Sequence, residues 1–145
     1  VMIDTGATYE GYVCDLTRTF ALGSIDGEFS KIYEVVREAN EAVIKFSKPK
    51  FTAEELDNVA RNVIEKHGYG KFFIHRTGHG LGLEGHEPPY IVKGNKMEMK
   101  IGMTFTDEPG IYLPNQGGVR IEDNVVVTGK GLECLTTYPR ELTIL

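Results

Sequence analysis

The chain has 145 residues, 41% of them hydrophobic and 26% charged, with a formal net charge of −5. That length suits one domain with a core of its own, and the lack of a basic stripe argues against nucleic acid as a partner. No long apolar run marks a membrane span, and the two cysteines, Cys14 and Cys134, make no disulfide framework, so a reducing, cytoplasmic setting away from membranes is expected.

Val1 to Phe20 reads as a β-hairpin with apolar or β-branched flanks and its tip near Thr8–Gly11. Symmetric pairing about Tyr9 and Glu10 predicts Asp4 opposite Asp15, on one face. Two carboxylates so placed repel; they need a cation between them, a shared proton or a different register, and a cation is the preferred reading. The extended run from Arg18 breaks at Gly23. Asp26 is placed to cap a helix whose apolar residues (Phe29, Ile32, Val35, Val36, Ala39, Ala42, Val43, Phe46) recur at helical spacing until Lys48-Pro49. Thr52-Ala-Glu-Glu55 is a capping box for a second helix, with Leu56, Val59, Ala60, Val63 and Ile64 on its inner face and Gly68 as its stop.

Residues 71–92 are rich in glycine and histidine. His75 and His79 have the spacing of a zinc-protease helix, but Arg76 stands where that motif needs glutamate, and Gly78, Gly80 and Gly82 disfavour a helix. Gly80-Leu-Gly-Leu-Glu-Gly85 fits a dinucleotide loop in letters only, because it runs into Pro88-Pro89 rather than opening a helix. A glycine-rich extended strand is the better reading. Residues 103–108 form a predicted strand, bent at Pro109-Gly110. Glu108 and Glu122 flank a second hairpin with its tip near Asn115, where Gly117 and Gly118 offer positive φ and carboxylate again opposes carboxylate. Val119–Thr128 reads as one strand, and Glu133–Thr137 and Glu141–Leu145 as two short ones. The order predicts an α+β fold, a largely antiparallel sheet packed on two helices.

Four carboxylates (Asp4, Asp15, Glu108, Glu122) and the His79 imidazole could hold two divalent ions, whose charge they would balance. Oxygen-rich ligation with one nitrogen suits Mn²⁺, Co²⁺, Fe²⁺ or Zn²⁺ better than copper and leaves Mg²⁺ open. Two such ions about 4 Å apart lower the pKa of a shared water and polarise a carbonyl, which is the chemistry of amide hydrolysis. Spacing alone leaves the bland alternatives open: solvated or ion-paired carboxylates, and a structural His79.

Asp4-Thr-Gly-Ala, Tyr12-Val-Cys-Asp15-Leu-Thr-Arg-Thr-Phe20, Thr77-Gly-His79-Gly-Leu-Gly, Glu84-Gly-His86-Glu-Pro, Glu108-Pro-Gly-Ile-Tyr112 and Gly118-Val-Arg-Ile-Glu122-Asp resemble, in order and spacing, the pita-bread metallopeptidases. The resemblance implies that residues 1–145 are the C-terminal part of a pita-bread catalytic domain, with a curved, mostly antiparallel sheet on two helices. It implies one ion on Asp4, another on His79 and Glu108, and Asp15 and Glu122 bridging. Glu108 would be the general acid/base and His86 would steady the tetrahedral intermediate. Thr17-Arg-Thr and Arg120-Ile-Glu-Asp123 look like the Xaa-Pro branch, so the expected substrate is a dipeptide or short peptide with proline second. Two Mn²⁺ or Co²⁺ ions are expected, with Zn²⁺ or Fe²⁺ as alternatives. Aminopeptidase P or methionine aminopeptidase activity is the neighbouring alternative, and a metal-free peptide- or protein-binding module is the alternative of another class. Arg120 could grip a carboxylate of the substrate or orient a metal ligand; His75 could line the substrate pocket or bond within its loop. Cys14, where serine is common, is expected to be buried, and Asp107 to face away from the metals. An uncovered sheet edge leaves room for a homodimer.

Overall fold

The first hairpin pairs β1 (Met2–Tyr9) with β2 (Tyr12–Ala21) around a two-residue tip, Glu10-Gly11. Both tip residues have positive φ, 50° and 87°, the signs that match the natural twist of a hairpin. The tip therefore sits further along the chain than symmetric pairing of the aspartates required. Asp4 is opposite Thr17, and Asp15 is opposite Gly6. The two aspartates are diagonal neighbours, not direct partners, yet they keep one face because the pleat has a period of two. Cys14 points to the other face and is exposed, contrary to expectation: that face of β2 is covered at Arg18, by Tyr138 and Pro139, but not at Cys14.

The computed structural model describes residues 1–145. The helix α1 (Gly27–Ile44) starts where Asp26 accepts a bond from the Phe29 amide, and α2 (Ala53–Lys66) starts at the complete capping box of Thr52 and Glu55. α1 stops short of Lys48-Pro49, whereas α2 ends as expected, with Gly68 left-handed at φ 86°. After a short 3₁₀ turn (Gly70–Phe72) come β3 (Gly78–Gly80), β4 (Glu87–Ile91), β5 (Thr104–Asp107), β6 (Gly110–Leu113), β7 (Gly117–Arg120), β8 (Asp123–Thr128), β9 (Gly131–Cys134) and β10 (Thr143–Ile144). The sheets run β1-β2-β10, β4-β3-β5-β8-β9 and β6-β7; only β10 against β2 is parallel. No helix is long and apolar enough to cross a membrane.

β5–β6 and β7–β8 form one long hairpin in a single register: Asp107 opposes Asp123 and Gly110 opposes Arg120. Its ladder is interrupted at Pro109, which has no N–H to give; there the Ile121 amide reaches the Pro109 carbonyl at 3.4 Å. The strand expected over Val119–Thr128 is consequently two strands. Glu108 and Glu122 stand at the interruption, freed from the pleat and facing each other across it.

The core lies between the helices and the sheets. Ile32, Val36, Ala39 and Val43 of α1 and Leu56, Ala60 and Ile64 of α2 are fully buried with Phe105, Ile111, Ile121 and Val125. Asn40, buried in α1, donates to the Asp107 carbonyl at 3.2 Å and so ties the helix layer to the strand that leads into Glu108.

Candidate metal centre

Five elements converge on one point. Asp4 comes from β1, Asp15 from β2, His79 from β3, Glu108 from the end of β5 and Glu122 from the gap before β8. Donor atoms of Asp4, Asp15 and Glu122 all lie within 4.8 Å of one another. Those of His79, Glu108 and Glu122 form a second such group, and Asp15, His79 and His86 a third. Thus the first two groups share Glu122. All five candidate ligands meet. His86, expected outside the ligand set, also stands against it, its ring 3.9 Å from that of His79.

Local chemistry fixes each side chain. Buried Asp57 of α2 accepts from the Thr77 amide (3.2 Å) and hydroxyl (2.7 Å), and the Thr77 carbonyl accepts from the Glu108 amide at 2.8 Å. The Thr106 hydroxyl accepts from the His79 amide at 3.0 Å and donates to Glu108 Oε1 at 3.1 Å. Thr17 donates to Glu122 Oε2 at 2.6 Å, and its carbonyl accepts from the Glu122 amide at 3.0 Å. Asn124 brackets the Asp15 backbone from both sides. On the far face of β2, Arg18 donates to the Glu122 carbonyl at 2.6 Å and pairs with fully buried Asp123, which Arg140 also holds. Gly78 is required here: a Cβ would sit 1.7 Å from the Thr106 carbonyl oxygen, so only glycine lets β3 lie this close to β5.

The electrostatics are those of too many acceptors. The Gly80 carbonyl accepts from His79 Nδ1 at 3.0 Å, which leaves the Nε2 lone pair facing Glu108 Oε1 at 3.3 Å. Burial pushes His79 down to about 4, so the ring is neutral near pH 7. Burial pushes Glu108 up to about 7; burial and then the charge of Glu108 push Glu122 up to about 8. Asp15 is raised by burial and by Asp4. The one cation in contact with the four carboxylates is Arg120, bound to Asp4. A neutral imidazole lone pair beside crowded carboxylate oxygens is a donor set that could hold a metal ion.

Arg120 settles on a candidate ligand: it donates to Asp4, to the Tyr112 hydroxyl at 3.0 Å and to the Thr17 hydroxyl at 3.2 Å. His75 bonds the Arg76 carbonyl at 2.7 Å and the Tyr112 hydroxyl at 2.9 Å. Both also line a cavity of about 340 Å³, together with Arg76, His86 and Glu108, which opens beside the carboxylates. Asp107 is fully buried on the side away from Glu108, next to Asp123. Sequence reasoning missed Thr17, Thr106, Tyr112 and Arg76 as parts of the site. Strand alternation from Asp15 and Glu108 was signal enough for the two threonines; nothing local marked the other two.

Residues 1–129 match the model of metallopeptidase family M24. Over 145 residues the chain is 50% identical to an Xaa-Pro dipeptidase of Lactobacillus helveticus, covering all of this chain and 39% of that protein. It is 49% identical over 142 residues to an Xaa-Pro dipeptidase of Pyrococcus furiosus, 98% of this chain and 41% of that one. A solved dipeptidase of Pyrococcus horikoshii OT3 superposes with a TM-score of 0.96 at 52% identity, over 99% of this chain and 40% of that one. The chain thus spans about two-fifths of the length of the relatives it matches.

Proposed function

The chain belongs to metallopeptidase family M24 and has the pita-bread fold, and from that premise we propose that the whole protein is an Xaa-Pro dipeptidase, cleaving the amide before proline. The observation that carries the reading is the pair of donor groups sharing Glu122, with a neutral His79 lone pair against Glu108. The relatives' names supply the substrate class.

In this reading Asp4, Asp15, His79, Glu108 and Glu122 would hold two divalent ions, with Mn²⁺ or Co²⁺ preferred and Zn²⁺ or Fe²⁺ as alternatives. When bound, the ions supply Lewis acidity, lowering the pKa of a water molecule and polarising the scissile carbonyl. Glu108 takes the proton that the attacking water loses and returns it to the proline nitrogen as the amide breaks. Exposed His86, facing the cluster, donates to the oxygen on which negative charge develops. Arg120 keeps Asp4 in place and lines the cavity with His75. Two unbridged cysteines suit a reducing, cytoplasmic setting.

The test is hydrolysis of alanyl-proline by the whole protein, with and without chelator. Loss of turnover on chelation, its return with Mn²⁺ or Co²⁺, and a drop of at least about 10²-fold in Glu108→Gln are expected. A metal-independent turnover, or unaltered turnover in Glu108→Gln, contradicts the reading. Binding of peptides without turnover in the metal-loaded protein would favour the binding-module alternative.

A further inference from the structure

Residues 130–145 lie beyond the stretch that matches the family model. Within them, Leu135–Leu145 ends beside β2 as β10, with Thr143 opposite Phe20 and Ile144 opposite Ala21. Apolar burial holds little of this segment. Leu142 packs against the core, whereas Leu135, Tyr138, Ile144 and Leu145 are exposed. Its anchors are polar, and they fall on buried groups that lead to the candidate ligands.

Two routes run inward. The first passes through Arg18, which is only 4% exposed. A guanidinium has five N–H donors, and Arg18 spends all of them. Two go to the Pro139 and Tyr138 carbonyls, each at 2.8 Å, and one to Asp123 Oδ1 at 2.6 Å. The other two go to the carbonyls of Thr17 at 2.9 Å and Glu122 at 2.6 Å. The segment therefore supplies two of the acceptors that keep a buried cation on the Glu122 backbone. Arg140 adds to this by donating to the other oxygen of Asp123 at 2.6 Å, while its own carbonyl accepts from the Tyr33 hydroxyl of α1 at 3.0 Å.

The second route passes through Asn124. The Leu135 amide donates to the Asn124 carbonyl at 2.8 Å, and the Thr136 hydroxyl accepts from the Asn124 amide at 2.9 Å. With its backbone held on both sides, Asn124 turns its side-chain amide onto Asp15, accepting from the Asp15 amide at 3.1 Å and donating to the Asp15 carbonyl. The two routes end on Asp15 and Glu122, the pair expected to bridge the two ions. Loss of an anchor leaves a buried polar group without its partner and frees the backbone of a candidate ligand to shift.

We propose that Thr136 and Arg140 are positioning residues, through which Leu135–Leu145 sets the backbones of Asp15 and Glu122 for metal binding. This rests on the two-ion reading above.

The experiment titrates Mn²⁺ into the metal-stripped whole protein and its Thr136→Val, Thr136→Ser, Arg140→Gln and Arg140→Lys variants. Electron paramagnetic resonance of the loaded proteins and melts of the stripped ones accompany it. The parent should bind two ions and show the exchange-coupled spectrum of a Mn²⁺ pair. Affinity for at least one ion should fall by about 10–100-fold in Thr136→Val and Arg140→Gln, with the coupling altered, the scale on which groups behind metal ligands act. Thr136→Ser keeps the hydroxyl acceptor and should retain the parental values; Arg140→Lys should fall between. Parental affinity and spectrum in Thr136→Val and Arg140→Gln, whatever their melting temperatures, overturn the proposal, as does an equal loss in Thr136→Ser and Thr136→Val. If Arg140→Gln does not fold, Thr136→Val decides alone. No Mn²⁺ bound by the parent overturns the two-ion reading itself.

Discussion

Glu122 is the side chain on which both donor groups meet, and its environment states the problem the site must solve. It is almost fully buried, receives one short hydrogen bond from Thr17 and faces Glu108. Both glutamates start from an ordinary value of 4.5, and the fold raises them to about 7 and about 8. An acid raised by folding contributes stability below its unfolded pKa and loses it as pH rises through the folded one. The metal-free chain should therefore weaken between about pH 4.5 and 8, while affinity for Mn²⁺, which displaces the same protons, should rise from pH 6 to 8. Thermal melts of the chelated chain at pH 5 and 8, beside Mn²⁺ titrations at pH 6 and 8, check this; a chelated chain equally stable at both contradicts it. At this scale the sequence was legible for residues whose chemistry is their identity: five acidic or imidazole donors come together. It was less legible for residues whose role depends on a neighbour. Whether Arg120 grips a ligand or a substrate depends on where Asp4 falls, and exposure of Cys14 depends on what covers β2.

Elements were legible where capping and periodicity speak locally. The capping box of Thr52 and Glu55 and the stop at Gly68 bound α2 as read. Registers were harder, because they are fixed by backbone signs at turns. Positive φ at Glu10 and Gly11 moves the first hairpin's tip and turns an opposed aspartate pair into a diagonal one. Pro109 splits an otherwise continuous ladder, an effect exerted across the hairpin on Ile121 and Glu122 and so invisible within Val119–Thr128. The closest packing of elements at the site is β3 on β5 at Gly78. Gly78→Ala should push these strands apart, destabilising the chain by about 1–3 kcal/mol or more and weakening metal binding through His79. Chemical denaturation with a Mn²⁺ titration measures both; a variant with unaltered stability would mean that β3 sits further from β5 than described.

At the scale of the molecule, the candidate ligands are spread from residue 4 to residue 122 and come together only because the β1–β2 hairpin meets the sheet that holds β3, β5 and β8. The helices contribute no ligand, but through Asp57 and Asn40 they set the strands that do. The architecture is thus a scaffold for gathering negative charge that the protein alone does not neutralise. The most direct test is calorimetric titration of Mn²⁺ into the 145-residue chain and its Glu122→Gln variant. Two ions bound per chain in the parent, and a loss of at least one of them in the variant, is the predicted result. No binding in the parent, or the same two ions held with unaltered affinity when Glu122 is replaced, would contradict it.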